Sequence, residues 1–325
     1  MMADRLSIAK ALNEALRKSL ENDPKTLLMG EDIGKLGGVF RITDGLQKDF
    51  GEDRVIDSPL AESGIMGTAI GLALRGYRPV VEIQFDGFVY PAFDQIVSQL
   101  AKMHARSLGH VKLPITVRMP YGGGIGAVEH HSESHEAYFA HTAGLKVVTP
   151  SNAHDAHWML RQAIASDDPV IFLEPKRRYW DKGDVGDSSD LPLHSARIVR
   201  PGTDATLIAY GPMVKVCQEA AAAAQEDGRN LEVVDLRSLT PVDFATLEES
   251  VKRTGRGIVV HEAPVFLGMG AELAARLTER CFYHLEAPVL RVGGYYAPYP
   301  PSRVEESFLP DLDRVLDAVD RALAY

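Results

Sequence analysis

The sequence is poor in cysteine: Cys217 and Cys281 are the only two among 325 residues. Two thiols cannot build a disulfide framework or a metal knuckle, so a reducing compartment is expected. No apolar run approaches the roughly 20 residues of a membrane-crossing helix. The opening MMADRLSIAKALNEAL has no basic stretch followed by an apolar core. It is also not Arg-rich and acid-poor, so neither a secretion nor a transit leader is expected, and the cytoplasm is the expected location. The net charge is −10, without a basic block. Nucleic acid is therefore not an expected partner. Phosphate-binding signatures are also missing: there is no G-x-x-x-x-G-K-[ST] and no convincing strand–GxGxxG–helix. No GDG is followed by the Asn that would complete a metal–diphosphate motif.

What is present is a soluble-globular composition, 45% apolar and 25% charged, which excludes disorder and low complexity. At roughly 150 residues per domain the length suggests two domains. The spacing of Ile8, Leu12, Ala15, Leu16 and Leu20 predicts an amphipathic helix over 7–23. Strands are expected at 26–33, 54–60, 78–85, 115–119, 145–149 and 170–173, with helices at 62–75, 90–107 and 154–165. Alternating strands and helices, and continuous apolar runs such as VIFL, predict a parallel sheet covered on both faces. The charged, Gly-, Pro-, Asp- and Ser-rich stretch 177–203 reads as a linker. Beyond it, strands near 205–210, 231–236, 258–261 and 289–292 alternate with helices at 214–226, 244–253, 271–280 and 313–324. The fold class is thus α/β in two parts: 1–176 with a mainly parallel sheet, and 204–325 as a second α/β domain.

Three groups of residues could carry chemistry. Tyr121–Gly126 (YGGGIG) is glycine-rich after a strand; it is either a tight loop or a ligand loop. His130, His131 and His135 lie among Glu129, Glu133 and Glu136. The order does not match the usual zinc patterns, so a polar surface loop or a catalytic histidine suited to proton transfer near neutral pH is expected ahead of a zinc site. Glu62 opens a helix with no other charge until Arg75, among Gly64, Gly67, Ala69, Gly71 and Ala73. An acid there can simply favour the helix N-terminus. It can also be a carboxyl whose apolar setting makes it a proton shuttle. The small residues predict close approach of this helix to something else.

These residues occur in a familiar order. SPLAESGIMGTAIGLALRGYRPVVEIQFDGF, PAFDQIVSQLAK, GAVEHHSESHEAYFAHTAGLKVVTPSN, PVIFLEP and IVVHEAP resemble the β subunit of a 2-oxo acid dehydrogenase decarboxylase component. The resemblance covers essentially the whole chain. That family is similar to the pyrimidine-binding and C-terminal domains of transketolase. Within it, EIQF, PAFDQIV, FAH before GLKVV, FLEP and HEAP look closest to branched-chain enzymes, with pyruvate and acetoin dehydrogenases as the near alternatives.

The resemblance implies thiamine diphosphate as cofactor, with its aminopyrimidine against this chain. The family glutamate falls on Glu62, where it is expected to bond the pyrimidine ring nitrogen and drive the imino tautomer that takes the thiazolium proton. Leu60, Gln84 and Phe88 match positions that line the pyrimidine pocket, with Phe88 stacked on the ring. His131 matches the family histidine of the H-S-[QE] frame, expected to help bind substrate and to protonate the lipoyl sulfur; a slip of one residue would exchange it with His130. His141 reads as structural. The missing diphosphate motif implies that an α subunit supplies the diphosphate and Mg2+ site, hence an α2β2 heterotetramer. A potassium site is implied around 113–116, with Ile115, Thr116, Ala163, Ser166 and Asp168. The C-terminal part is expected to mediate β–β contact and to bind the peripheral subunit-binding domain of the dihydrolipoyl acyltransferase, whose lipoyl domain is a substrate. Tyr296 and Ala297 in GGYYAPYP, and Ala143 in HTAGLKVV, depart from the family pattern. A non-catalytic docking subunit is the rival of a different class; an eroded active site would be its mark, and the Glu62 and His131 frame is intact.

Overall fold

In a computed structural model, residues 5–325 are described; the four residues before them, part of the expected leaderless start, lie outside the described residues. The chain divides into two compact units. The first comprises the residues up to Tyr121 together with Tyr138–Leu193, and the second comprises Gly122–Ala137 with His194–Tyr325.

In the first unit the chain runs β1 (Arg5–Ser7), α1 (Ile8–Asn22), β2 (Thr26–Gly30), α2 (Leu46–Phe50), β3 (Val55–Asp57) and α3 (Glu62–Leu74). It continues with β4 (Arg78–Glu82), α4 (Ala101–Arg106), β5 (Thr116–Tyr121), α5 (Glu136–Ala140), β6 (Lys146–Val148), α6 (Ala153–Ala165), β7 (Val170–Pro175) and β8 (Lys182–Asp184). Helix α5 spans the boundary between the units. Strands pair in parallel in the order β6-β7-β5-β4-β2-β3. Every residue of β2, β5 and β7 is buried, as expected of a parallel sheet covered on both faces. Helix α1 starts where Ser7 accepts the Lys10 N–H, an N-cap. Its Ile8, Leu12, Leu16 and Leu20 join Met159, Leu160 and Ile164 of α6 in one core.

The long helix differs from the sequence expectation. The helix expected over 90–107 is a 3-10 segment Asp86–Ala92, a π-helical segment Gln95–Leu100 and then α4. Pro91 sits in the 3-10 stretch and lacks the N–H that a regular helix needs.

The second unit contains β9 (Arg197–Arg200), β10 (Ala205–Ala209), α7 (Met213–Glu226), β11 (Leu231–Asp235), β12 (Ser238–Thr240), α8 (Phe244–Thr254) and β13 (Gly257–Pro264). Then come α9 (Met269–Cys281), β14 (Leu290–Gly294), α10 (Glu305–Phe308) and α11 (Leu312–Leu323). Its sheet has the order β14-β13-β10-β11-β9, parallel except for β9. The stretch 177–203, read as linker, therefore carries β8 and β9. Cys217 and Cys281 are buried free thiols. Among the described residues, no helix is long and apolar enough to cross a membrane.

Candidate active site

Gly30, Asp57 and Glu82 end neighbouring parallel strands and are aligned in register, Gly30 with both Asp57 and Glu82. The segments leaving β2, β3 and β4 thus start from one edge, the carboxyl end of the sheet, where open α/β folds bind ligands. Four of the expected site residues start from this edge.

Leu60 is 73% exposed. Glu62 is the first residue of α3, whose N-cap Ala61 has no side chain able to cap it. Glu62 is half-buried, and among the described residues it makes no hydrogen bond or ion pair. Its neighbour is another acid. The Glu31 carboxyl is held above its usual range, first by burial, then by the charges of Asp32 and Glu62. The Gln84 amide donates to the Glu31 carbonyl at 3.4 Å. Phe88 packs edge-on against Phe85, with centroids 5.7 Å apart. Glu31 is thus the residue that joins Glu62 to Gln84, and the sequence reading missed it. The signal was there: GED directly follows the apolar run of β2, at the end of the sheet where sites form.

A buried charge network lies under this edge. Arg118 donates to Glu174 through Nε at 2.7 Å and Nη2 at 3.1 Å, and to Glu82 through Nη1 at 2.7 Å. The Tyr179 hydroxyl donates to Glu174 at 2.6 Å. Burial raises the Glu82 carboxyl above its usual range against the pull of Arg118. Lys176 lies 3.8 Å from Asp86, both fully buried.

The glycines of α3 have room around them within this chain. The helix buries Ile65, Met66, Ala69, Ile70 and Ala73. A Cβ on Gly71 would meet nothing within 4 Å, and on Gly64 or Gly67 only ordinary contacts at 3.5 and 3.9 Å. Their face is open.

His131 belongs to the second unit, in the Gly122–Ala137 segment. It ends a 3-10 turn, Glu129–His131, and its ring lies 4.4 Å from that of His130. His135 is buried, with Nε2 3.2 Å from the Glu133 carboxylate. Among the described residues, no group of three or more His, Cys, Asp or Glu is arranged to hold a metal. His141 is exposed, in the first unit. Glu136 is buried and accepts the Tyr210 hydroxyl at 2.6 Å. Burial pushes its carboxyl up to about 7, against the Tyr210 bond. Burial likewise lowers His261 to about 4, so its ring is neutral at pH 7.

Of the residues of the expected potassium site, Ala163, Ser166 and Asp168 lie at or just beyond the end of α6, and Ile115 and Thr116 lie at the start of β5 beside Val170. The Ala163 carbonyl accepts the Ser166 N–H at 3.1 Å, and the Ile115 carbonyl that of Val170 at 2.9 Å. Thr116 is buried in β5. The Ser166 hydroxyl accepts the Asp168 N–H at 3.1 Å, and the Asp168 carboxylate lies 3.8 Å from Lys146. Oxygen donors suit a hard cation, and carbonyls keep a second lone pair. Arg78 Nη1 is already placed on the Ser166 carbonyl at 3.0 Å, so a guanidinium competes for this helix end.

Comparison with known proteins accounts for this architecture. Residues 4–181 match the family model described as transketolase, pyrimidine binding domain, and residues 194–315 match transketolase, C-terminal domain. The chain is 61% identical over 321 residues to a Leifsonia xyli subsp. xyli protein named pyruvate dehydrogenase E1 component subunit beta, covering 98% of this chain and 95% of the relative. It is 55% identical over 320 residues to a 3-methyl-2-oxobutanoate dehydrogenase subunit beta of Mycobacterium tuberculosis, covering 98% and 92%. A 2-oxoisovalerate dehydrogenase subunit beta of Pseudomonas aeruginosa is 46% identical over 336 residues, covering 98% and 95%. Among solved structures, a split gene transketolase, described as an inactive beta4 tetramer, superposes with a TM-score of 0.80 at 23% identity over 99% of each chain, a likeness of fold. With two transketolase-type domains and such relatives along nearly its full length, the chain belongs to the E1 β subunits of the 2-oxo acid dehydrogenases.

Proposed function

We propose that this chain is the β subunit of a branched-chain 2-oxo acid dehydrogenase, acting on 2-oxoisovalerate and its homologues with an α subunit as α2β2. The observation that carries the proposal is Glu62: a half-buried carboxylate with no hydrogen bond or ion pair among the described residues, at the carboxyl edge of a parallel sheet. Its oxygens are left for a ligand that can share a proton, and the aminopyrimidine of thiamine diphosphate is such a ligand. When bound, that cofactor supplies the nucleophilic carbon and the electron sink for decarboxylation.

The residues of this chain then have separate tasks. Glu62 holds a proton at the pyrimidine ring nitrogen. Glu31, whose carboxyl is raised by burial and by the charges of Asp32 and Glu62, stands beside Glu62 as a second acid. Gln84 fixes the Glu31 backbone. Phe88 offers an aromatic face to the ring, and Leu60 an apolar cover. His131 supplies the proton when the acyl group passes to a lipoyl arm of the acyltransferase. The open face of α3 and the exposed Leu60 and Leu74 suit burial by a partner chain, which is also assigned the diphosphate and Mg2+. The acyltransferase core, through its peripheral subunit-binding domain, is assigned to the C-terminal unit. Localisation in the cytoplasm is part of the same reading.

A second reading, pyruvate as substrate, is favoured by the 61% identical relative. Specificity constants of the reconstituted complex for 2-oxoisovalerate, 2-oxoisocaproate and pyruvate decide between them. Branched acids should lead; a strong pyruvate preference would keep the mechanism and overturn the branched-chain assignment. A potassium ion at the end of α6 is the last part of the proposal. Replacing KCl by choline chloride at equal ionic strength should lower the melting temperature, and an unchanged temperature would remove the ion from the account.

A further inference from the structure

The glycine-rich loop has the backbone of an anion-binding nest. Gly122, Gly124 and Gly126 have φ of +81°, +83° and +71°, values that side chains rarely allow, and runs of N–H groups in such conformations bind anions. In this chain the anions are two of its own carboxylates. Glu305 accepts the Gly124 N–H on Oε1 and the Gly126 N–H on Oε2, both at 2.9 Å. Glu262 accepts the Gly123 N–H. The Tyr299 hydroxyl donates to Glu305 Oε1 at 2.7 Å. A Cβ on Gly123 would fall 1.7 Å from that hydroxyl, so only glycine fits. The Gly122 N–H bonds the Glu133 carbonyl at 2.8 Å and closes the base of a compact loop.

Glu305 is 6% exposed, and among the described residues no cation pairs with it. Its charge is met by two backbone N–H groups and a phenol alone. Such a carboxylate fixes a loop in one form, because charge-assisted bonds are strong and directional. Five residues beyond Gly126 comes His131, placed by the Glu129–His131 turn, whose N–H bonds the Val128 carbonyl at 3.0 Å. We propose that Glu305, with Tyr299 behind it, is a positioning residue that holds the loop of His131 in the form that serves acyl transfer. The proposal rests on the reading of His131 given above.

The test uses the complex reconstituted with its α subunit, with Glu305→Gln, Tyr299→Phe and His131→Ala. Glutamine keeps the shape but turns an amide NH2 toward a backbone N–H. Three quantities are measured: hydrogen exchange of the amides at 123–126, acylation of a lipoyl domain, and decarboxylation followed with an artificial electron acceptor. Glu305→Gln should speed the exchange tenfold or more. It should slow acylation about tenfold, in the range expected for a small misplacement of a reacting group, and leave decarboxylation within twofold. Tyr299→Phe should act in the same direction, by about threefold. Unchanged exchange overturns the proposal, and so does an equal fall in both half-reactions, which a merely structural role would give. If His131→Ala loses acylation and Glu305→Gln does not, the positioning role alone fails. If His131→Ala keeps acylation within twofold, the reading of His131 is what fails, and the positioning role falls with it.

Discussion

The chain gathers carboxylates in two settings and treats them in opposite ways. At the end of the first sheet, Glu31 and Glu62 stand beside each other, and Glu62 meets no donor among the described residues. In the second unit, Glu305 and Glu262 are met by the amides of a glycine loop. Folding alone would favour the second arrangement, since an unmet polar group loses solvation without return. The first is tolerated because part of it stays in water, and in the proposed function a ligand completes it. An acid left open marks a binding site, whereas an acid enclosed by its own chain marks a scaffold. Third in the series are Glu82 and Glu174, buried and met by Arg118.

The largest effect expected from this comparison is on activity without stability. Glu62→Ala should lower turnover of the reconstituted complex at least a thousandfold, about 4 kcal/mol of transition-state stabilisation. Chemical denaturation of the β chain should shift by no more than about 0.5 kcal/mol, as at an unbonded surface site. A large loss of stability would show that Glu62 has an internal partner after all. The enclosed acids should behave in reverse. Arg118→Met leaves two buried carboxylates without their cation, and breaking such a pair costs about 3–5 kcal/mol. A denaturation midpoint equal to the wild type would contradict the network.

The pH dependence of stability comes next. The folded Glu136 carboxyl, pushed by burial to about 7 from its usual 4.5, binds its proton more tightly than the unfolded chain does. Its contribution is full below pH 4.5 and is lost as pH rises through 7. The change is at most roughly 3 kcal/mol. The groups acting on it are Tyr210, Glu262 and His135. Glu136→Gln should flatten the decline in stability between pH 5 and pH 8; a parallel pH curve would show that the group does not titrate in that window. His261 acts with the opposite sign. Lowered to about 4, it contributes stability above pH 6.5 that is lost as pH falls through 4. The smallest effect belongs to the loop itself. Gly126→Ala forces a side chain into a positive φ, costing about 1–2 kcal/mol, and a melting curve at wild-type position would show that the loop relaxes instead.

Much of this was legible from residue order. The apolar period of α1, the VIFL run of β7 and the isolated acid at Glu62 each follow from local chemistry. The helix expected over 90–107 was misread because its apolar spacing outweighed Pro91. Strand β9 was hidden in a charged stretch, since RIVR has two arginines and gains its pairing from β11. Glu31 was passed over because its role depends on register between strands. Glu305 was invisible for a different reason: its partners are backbone amides 179 and 181 residues away, and amides carry no side-chain code. The glycines showed that something came close but not what.

The central claim is that the open carboxylate at Glu62 acts on a proton of the bound cofactor. Its most direct test is the rate of solvent-deuterium exchange at the thiazolium carbon of thiamine diphosphate in the reconstituted complex, by rapid quench and NMR. With Glu62→Gln, which removes the charge and preserves the size, exchange should slow at least a hundredfold while the cofactor stays bound. Exchange at the wild-type rate in the loaded variant would contradict the account.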